Sequence, residues 1–160
     1  MRLPPPLVAA PLGAALALAA CGDAGQSARC TPHPSASPPS ITAGQLTAFA
    51  DRAVVPTGGS LQASVRVTGP LRYQAPCDAP LQLIVVDSTD IHIDSLAPPA
   101  PRGTPCGAVA LSAGQTAEYD VAWTADPTLP AGVYRLVLGL GDQPQLVVRV
   151  RLGLDVGGCS

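Results

Sequence analysis

The sequence has few of the side chains on which charged or aromatic recognition sites depend. Its 160 residues include no lysine and no asparagine, only one tryptophan, one phenylalanine and three tyrosines, and charged residues make up 12%. The arginines are scattered, so no basic cluster marks a nucleic-acid partner. So few aromatic residues also argue against the stacked aromatic platforms of sugar-binding sites. The composition therefore excludes two large classes of binding protein.

The patterns of common catalytic sites are missing as well. His92 is the only histidine from residue 45 onward, and no G-x-S-x-G elbow accompanies the serines. The glycine-rich stretch at residues 57–60 has no lysine and no helical pattern after it, so it is predicted to be a hairpin loop rather than a phosphate-binding loop. We predict neither catalysis nor a cofactor.

The amino-terminal 21 residues carry the most specific motif. An apolar run of 14 residues, 7–20, follows a short stretch whose side-chain charge is Arg2, and it is too short to span a bilayer. Its end, Leu18-Ala19-Ala20-Cys21, resembles the lipobox of bacterial lipoproteins. That resemblance implies that residues 1–20 are a signal peptide and that Cys21 carries acyl chains such as palmitate in a membrane. The alternative is an ordinary secretory signal followed by a chance cysteine.

Residues 21–44 are rich in proline, serine and glycine, and they predict a linker between the lipid and a domain at residues 45–160. Beyond the signal peptide no apolar run approaches the 18 residues of a spanning helix, so membrane attachment rests on the lipid. The predicted location is the bacterial cell envelope, on the side facing the periplasm or the exterior.

Alternation of apolar and polar residues with period two dominates the chain from residue 45 onward. Turn residues such as Pro56, Gly69-Pro70 and Gly141 separate the alternating segments. We predict an antiparallel, immunoglobulin-like β-sandwich of seven to eight strands. The predicted strands are residues 46–50, 60–69, 81–86, 90–96, 107–112, 117–124, 134–140 and 146–154.

A family resemblance accompanies this pattern. Leu111 to Gln115, then Tyr119 to Trp123, then Leu129 to Tyr134 resemble the signature of the intracellular proteinase inhibitor (BsuPI-type) family, over roughly residues 60–140. The resemblance implies a core role for Trp123 and a corner-anchoring hydroxyl at Tyr134. It also implies a protease partner, for which the loops at residues 125–131 and 141–144 are the predicted contact segments.

Four cysteines remain once Cys21 is assigned to lipid, and an even number in an exported chain indicates disulfides. Counting alternating strands places Cys30, Cys77, Cys106 and Cys159 at one end of the sandwich, which permits all three connectivities. The stiff, proline-flanked loops at Cys77 and Cys106 favour Cys77–Cys106 with Cys30–Cys159, at the end near the membrane. Free buried thiols are the alternative.

Asp90, His92 and Asp94 are the only concentrated metal-ligating side chains. Period two would place them on one strand face, about 7 Å apart, which is wide for a single ion. A solvated face with Ile91 and Ile93 pointing inward explains the same pattern, so they remain weak candidates.

Three functions follow from these observations. The first is a lipid-anchored, non-catalytic binding or structural module of the envelope, with the membrane and an envelope protein as partners. The second is a BsuPI-like proteinase inhibitor, and the third is a metal-binding envelope protein.

Overall fold

A computed structural model describes residues 37–153, and eleven β-strands make up this part of the chain. No helix in the range is long and apolar enough to cross a membrane. The signal peptide, Cys21, Cys30 and Cys159 lie outside the described residues. The strands are β1 (Ser40–Ala43), β2 (Leu46–Ala50), β3 (Val54–Val55), β4 (Ser60–Thr68), β5 (Leu71–Ala75), β6 (Leu81–Val86), β7 (His92–Leu96), β8 (Gly107–Leu111), β9 (Thr116–Thr124), β10 (Gly132–Leu140) and β11 (Leu146–Leu152).

Two sheets and a short ribbon share these strands. One sheet has the order β1-β2-β4-β9, the other β3-β11-β10-β6-β7, and β5 pairs with β8. Neighbouring strands are antiparallel apart from the short parallel pair of β3 and β11. The chain is therefore an all-β sandwich, and the predicted fold class is confirmed at that level.

The core follows directly from the alternation in the sequence. Along β9, four alternate residues from Ala117 to Trp123 are buried, and the residues between them are exposed. β11 alternates in the same way from Leu146 to Leu152. Because successive side chains of a strand point to opposite faces, each sheet contributes one apolar face to a shared interior. Trp123 is 1% exposed there, as the resemblance implied.

A sharp bend joins β4 to β5 and β8 to β9. The β4–β9 ladder ends with Thr68 opposite Thr116, and the β5–β8 ladder then starts with Leu71 opposite Leu111. The two ladders are thus parts of one bent two-stranded ribbon. The chain keeps its direction where β4 continues into β5 and where β8 continues into β9. Gly69 lies at this bend, where a Cβ would come within 2.1 Å of the Ser112 carbonyl oxygen, so no larger residue fits.

Three of the strands, β1, β3 and β5, have no counterpart in the sequence prediction. β1 lies within residues 21–44, which were predicted to be linker, and all four of its residues are exposed. An exposed edge strand has no buried face to generate alternation, so its pattern resembles that of a linker. β3 has only two residues, and β5 follows the bend at a Gly-Pro pair that reads as a turn.

The two ends of the sandwich carry different features. β10 begins at Gly132, which lies opposite Leu152 at the end of β11. We call this end of the sandwich the terminal end, because the described residues stop just after β11. The end where β10 meets β11 through residues 141–145 is the hairpin end. Leu81 lies opposite Leu140, so β6 begins at the hairpin end. β1 starts at Ser40, opposite Phe49, and runs towards the hairpin end, so the described chain also enters from the terminal end.

The three tyrosines all place their hydroxyls in protein contacts. The hydroxyls of Tyr73 and Tyr119 lie 2.7 Å apart in the interior, and Tyr119 also donates to the Pro105 carbonyl at 2.8 Å. The Tyr134 hydroxyl donates to the Pro130 carbonyl at 2.8 Å, which is the corner anchor that the resemblance implied. Burial raises the pKa of each phenol above the usual value of 10.0, and for Tyr119 the hydrogen bond with Tyr73 raises the pKa further.

We therefore expect the native protein to show little tyrosinate absorbance at pH 10, where an ordinary phenol is half ionised. Because the folded pKa values are raised, this contribution to stability is complete below pH 10 and is lost as the pH rises through those values. Absorbance at 295 nm against pH measures the ionisation, and protein unfolded in urea should titrate near pH 10. A native curve that coincides with the unfolded one would contradict the buried hydroxyl pair.

Candidate functional site

An open depression of about 410 Å³ lies at the terminal end, between the edge strand β7 and the loop that follows β9. The loop crosses from one sheet to the other, so the depression sits where the two sheets meet. Its wall combines two carboxylates with apolar side chains. The lining residues are Ile93, Asp94, Trp123, Thr124, Ala125, Asp126, Pro127 and Leu129.

Asp94 forms the polar side of this depression. Its Oδ2 accepts a hydrogen bond from Trp123 Nε1 at 3.1 Å, and its Oδ1 accepts one from the Ser95 backbone N–H at 2.7 Å. The indole N–H is the one polar group of the tryptophan side chain, and a buried donor without a partner is costly. Asp94 therefore satisfies the core tryptophan, a role that no spacing in the sequence signalled.

The three metal-ligand candidates do not share a face. β7 begins at His92, which pairs with Val86, while Asp94 pairs with the neighbouring Val85, so a bulge interrupts the alternation. Paired residues point to the same face, hence His92 points outward and Asp94 inward. Within residues 37–153 no three His, Cys, Asp or Glu side chains are placed to hold a metal ion. The predicted common face of Asp90, His92 and Asp94 is wrong.

Asp90 belongs to a turn rather than to the strand. The turn is organised by Asp87, whose Oδ1 accepts hydrogen bonds from the Thr89 hydroxyl and backbone N–H and from the Ile91 N–H. These bonds, led by that of the Thr89 hydroxyl, lower the pKa of Asp87 below 3.8. Asp90 has a φ of 66° and forms an ion pair with Arg135. Ile91, predicted to point inward, is 60% exposed because it belongs to the same turn.

The loop at residues 125–131 is the other wall of the depression, and its own hydrogen bonds hold it. Asp126 Oδ1 accepts bonds from the Thr128 hydroxyl at 2.6 Å and its backbone N–H at 2.8 Å, and both lower the Asp126 pKa. The Leu129 N–H donates to the Asp126 carbonyl, and the Leu129 side chain packs on the core. Exposed residues such as Pro127 are therefore presented on a fixed backbone.

The loop at residues 141–144 lies at the opposite end of β10, so the two predicted contact segments cannot face one partner together. Asp142 in this loop bonds to the β5–β8 ribbon: its Oδ1 accepts from the Gln74 backbone N–H at 3.0 Å, and its backbone N–H donates to the Gln74 carbonyl at 3.3 Å. A Cβ on Gly141 would lie 1.6 Å from that carbonyl oxygen, which explains the glycine. These contacts with Gln74 hold the loop at residues 141–144 against the β5–β8 ribbon.

Cys77 and Cys106 form a disulfide with a sulfur–sulfur distance of 2.05 Å, the pairing favoured above. The bridge joins the connections before β6 and β8 at the hairpin end. The predicted partners Cys30 and Cys159 lie outside the described residues, and the described chain enters and leaves at the terminal end. The expectation that all four cysteines share one end holds for Cys77 and Cys106 and stays a prediction for Cys30 and Cys159.

The chain matches no family model and no curated protein. The sporulation control protein Spo0M from Bacillus subtilis resembles it at 13% identity and a TM-score of 0.46, over 71% of this chain and 51% of that one. A β-glucosidase from Listeria innocua resembles it at 16% identity and a TM-score of 0.40, over 72% of this chain and 16% of the enzyme. The alkylpurine DNA glycosylase AlkC from Pseudomonas fluorescens resembles it at 14% identity and a TM-score of 0.42, over 69% of this chain and 31% of the enzyme. The chain thus spans about half of Spo0M and smaller shares of the two enzymes. At these TM-scores the likenesses bear on neither its activity nor its partners.

Proposed function

We propose that the chain is a lipid-anchored, non-catalytic binding or structural module of the bacterial cell envelope, with an immunoglobulin-like domain. The Cys77–Cys106 disulfide is the observation that carries the proposal. Disulfides persist in oxidising compartments and are rare in the cytosol, so a bridged domain favours export. The motif Leu18-Ala19-Ala20-Cys21 supplies the matching export signal and the attachment point.

The organisation of the described domain suits a binding role. Its polar groups at the terminal end are engaged in structure: Asp94 with Trp123, Asp90 with Arg135, and Asp126 with Thr128. Such contacts fix side chains and leave little freedom for proton transfer or nucleophilic attack, which need a group within reach of a bound substrate. A folded domain on a proline- and serine-rich linker instead presents its surfaces to partners within reach of the membrane.

Changing Cys21→Ser tests the anchor. We expect wild-type protein grown with an alkyne analogue of palmitate to carry the label, and the variant to lack it and keep residues 1–20. Ser27→Ala, a change of similar size in the predicted linker, is the matched control and should label normally. Labelling is read by in-gel fluorescence and the retained signal peptide by mass. Equal labelling of the Cys21→Ser variant would contradict attachment at this residue.

A second proposal, a proteinase inhibitor, is favoured by the fixed loop at residues 125–131. Inhibitors that enter a protease cleft gain affinity from a segment already held in its bound shape. The Asp126–Thr128 bonds and the packed Leu129 provide that order here. Inhibition of a panel of serine and cysteine proteases by the detergent-solubilised protein tests it. Inhibition should fall with Pro127→Gly but not with Gln143→Ala in the other loop, and absence of inhibition across the panel would remove the proposal.

A further inference from the structure

The outer face of the five-stranded sheet combines arginines with aliphatic side chains. Register sets the outward residues in cross-strand rows: Val147 beside Val137 and then Ile84, and Arg149 beside Arg135 and then Val86. A third row joins Val133, Arg151 and Val54. We call this surface the arginine–valine face, and it consists of Val54, Ile84, Val86, Val133, Arg135, Val137, Val147, Arg149 and Arg151.

Its charge differs in sign from that of the opposite sheet. Three arginines and no acidic residue belong to the arginine–valine face, whereas the outer face of the opposite sheet has Glu118 and Asp120 and one arginine, Arg66, which pairs with Glu118. Arg149 stands directly opposite Arg135, and like charges in that position destabilise a strand pair. The Asp90 ion pair offsets the charge of Arg135. Arg149 and Arg151 are exposed and form no ion pair with any residue of 37–153.

The aliphatic residues of the face are only partly covered. Val133 is 42% exposed and Val147 39% exposed, while Ile84, Val86 and Val137 are half-buried beside the arginines. The surface therefore offers shallow apolar contact beside two guanidinium groups that form no ion pair within residues 37–153. Guanidinium groups bind phosphate through paired N–H donors, and their stems can cover apolar surface at the same time.

We propose that the arginine–valine face docks on an anionic phospholipid surface, an inference that rests on the lipid anchor of the proposed function. Charge complementarity with phosphate headgroups is the first argument. Geometry is the second, since the described chain enters and leaves at the terminal end, where the row of Val133 and Arg151 also lies. The lipid anchor would thus hold the terminal end of the arginine–valine face close to the membrane.

Chain length supports the same occupant. The 16 residues 21–36 separate the proposed lipid site from the described domain, and a chain of that length reaches at most about 55 Å. A domain on such a tether meets the membrane at an effective concentration in the millimolar range. Two arginines near an anionic surface shift the docking equilibrium about 30-fold, which biases the orientation of a tethered domain but does not bind a free domain tightly.

The test uses the full lipidated protein in vesicles, with an environment-sensitive fluorophore on one introduced cysteine. Ser95→Cys places the label on the outer face of β7, beside Ile84, and Gln62→Cys places a matched label on the outer face of the other sheet. Flotation with the vesicles first reports whether the anchor holds. The emission wavelength of the label and its quenching by acrylamide are then compared between phosphatidylcholine vesicles and vesicles with about a third phosphatidylglycerol.

We expect the Ser95→Cys label to shift to the blue and to gain protection from acrylamide in the anionic vesicles only, and the Gln62→Cys label to remain unchanged. Arg149→Gln with Arg151→Gln should lower the docking equilibrium about 30-fold, the equivalent of about 1 kcal/mol for each arginine. An unchanged label on floated protein would overturn the docking, and so would protection that survives the double substitution. Protection induced by soluble polyglutamate but not by phosphatidylglycerol would overturn it in favour of an acidic protein partner. Failure to float would instead refute the anchor.

Discussion

Replacing Cys77 and Cys106 together by alanine is expected to lower the free energy of unfolding by about 3 to 4 kcal/mol. The bridge joins residues 29 apart, and closing a loop of that length removes about this much conformational entropy from the unfolded chain. The domain should still fold, since its core lies between the sheets and the bridge connects loops at the hairpin end. Urea denaturation followed by tryptophan fluorescence measures the change.

The same variant gives a control for the second predicted bridge. In protein without Cys77 and Cys106, a reducing agent can act only on a pair made by Cys30 and Cys159. A further loss of stability on reduction would indicate that this pair exists, because it would close more than 100 residues. A double variant as stable as the wild type would contradict a stabilising role for the Cys77–Cys106 bridge.

The second large effect is expected at Trp123. Replacing Trp123 by alanine should cost about 3 to 5 kcal/mol, because the side chain is 1% exposed and its removal leaves a cavity between the sheets. The change also removes the hydrogen bond from the Trp123 indole N–H to Asp94 Oδ2, so the half-buried Asp94 carboxylate loses a partner.

Two milder substitutions separate these contributions. Trp123→Phe keeps most of the apolar volume and removes the N–H donor, whereas Asp94→Asn keeps an acceptor for that N–H and removes the charge. We expect both to cost less than Trp123→Ala in chemical denaturation measured by far-ultraviolet circular dichroism. A cost for Trp123→Ala below that of a surface substitution would contradict the placement of this side chain in the core.

The sequence predicted the strands whose two faces meet different environments. β9 and β11 alternate cleanly, and β4 does so apart from the buried Ser64, because one side packs on the other sheet and one side faces water. β1 has no buried side, so its composition could not separate it from a linker. The prediction of an all-β sandwich succeeded because the long strands alone define one.

The direction of the chain was harder to predict, for a specific physical reason. Strict alternation assumes that the chain reverses between consecutive strands, and at the bend from β8 to β9 it does not. Hydrogen bonding of the Gly69 N–H to the Gln115 carbonyl joins the two ladders across that bend. The sequence shows only turn residues there, so counting strands could not place Cys77 and Cys106 relative to the end at which the described chain enters and leaves.

The candidate site illustrates a related limit. Asp90, His92 and Asp94 alternate in the sequence, but the bulge in β7 turns His92 outward and Asp94 inward. The partner that fixes Asp94 is Trp123, 29 residues away. Long-range pairs of this kind leave no local pattern, whereas the pairing of Cys77 with Cys106 left one in the two proline-flanked loops.

The intact mass of the detergent-extracted native protein, with thiol labelling before and after reduction, tests the central proposal most directly. The account predicts a chain that begins at Cys21, carries the mass of acyl chains, and takes up thiol label at Cys30, Cys77, Cys106 and Cys159 only after reduction. A chain without acyl mass, or one that labels at these four cysteines without reduction, would contradict a lipid-anchored domain of the envelope.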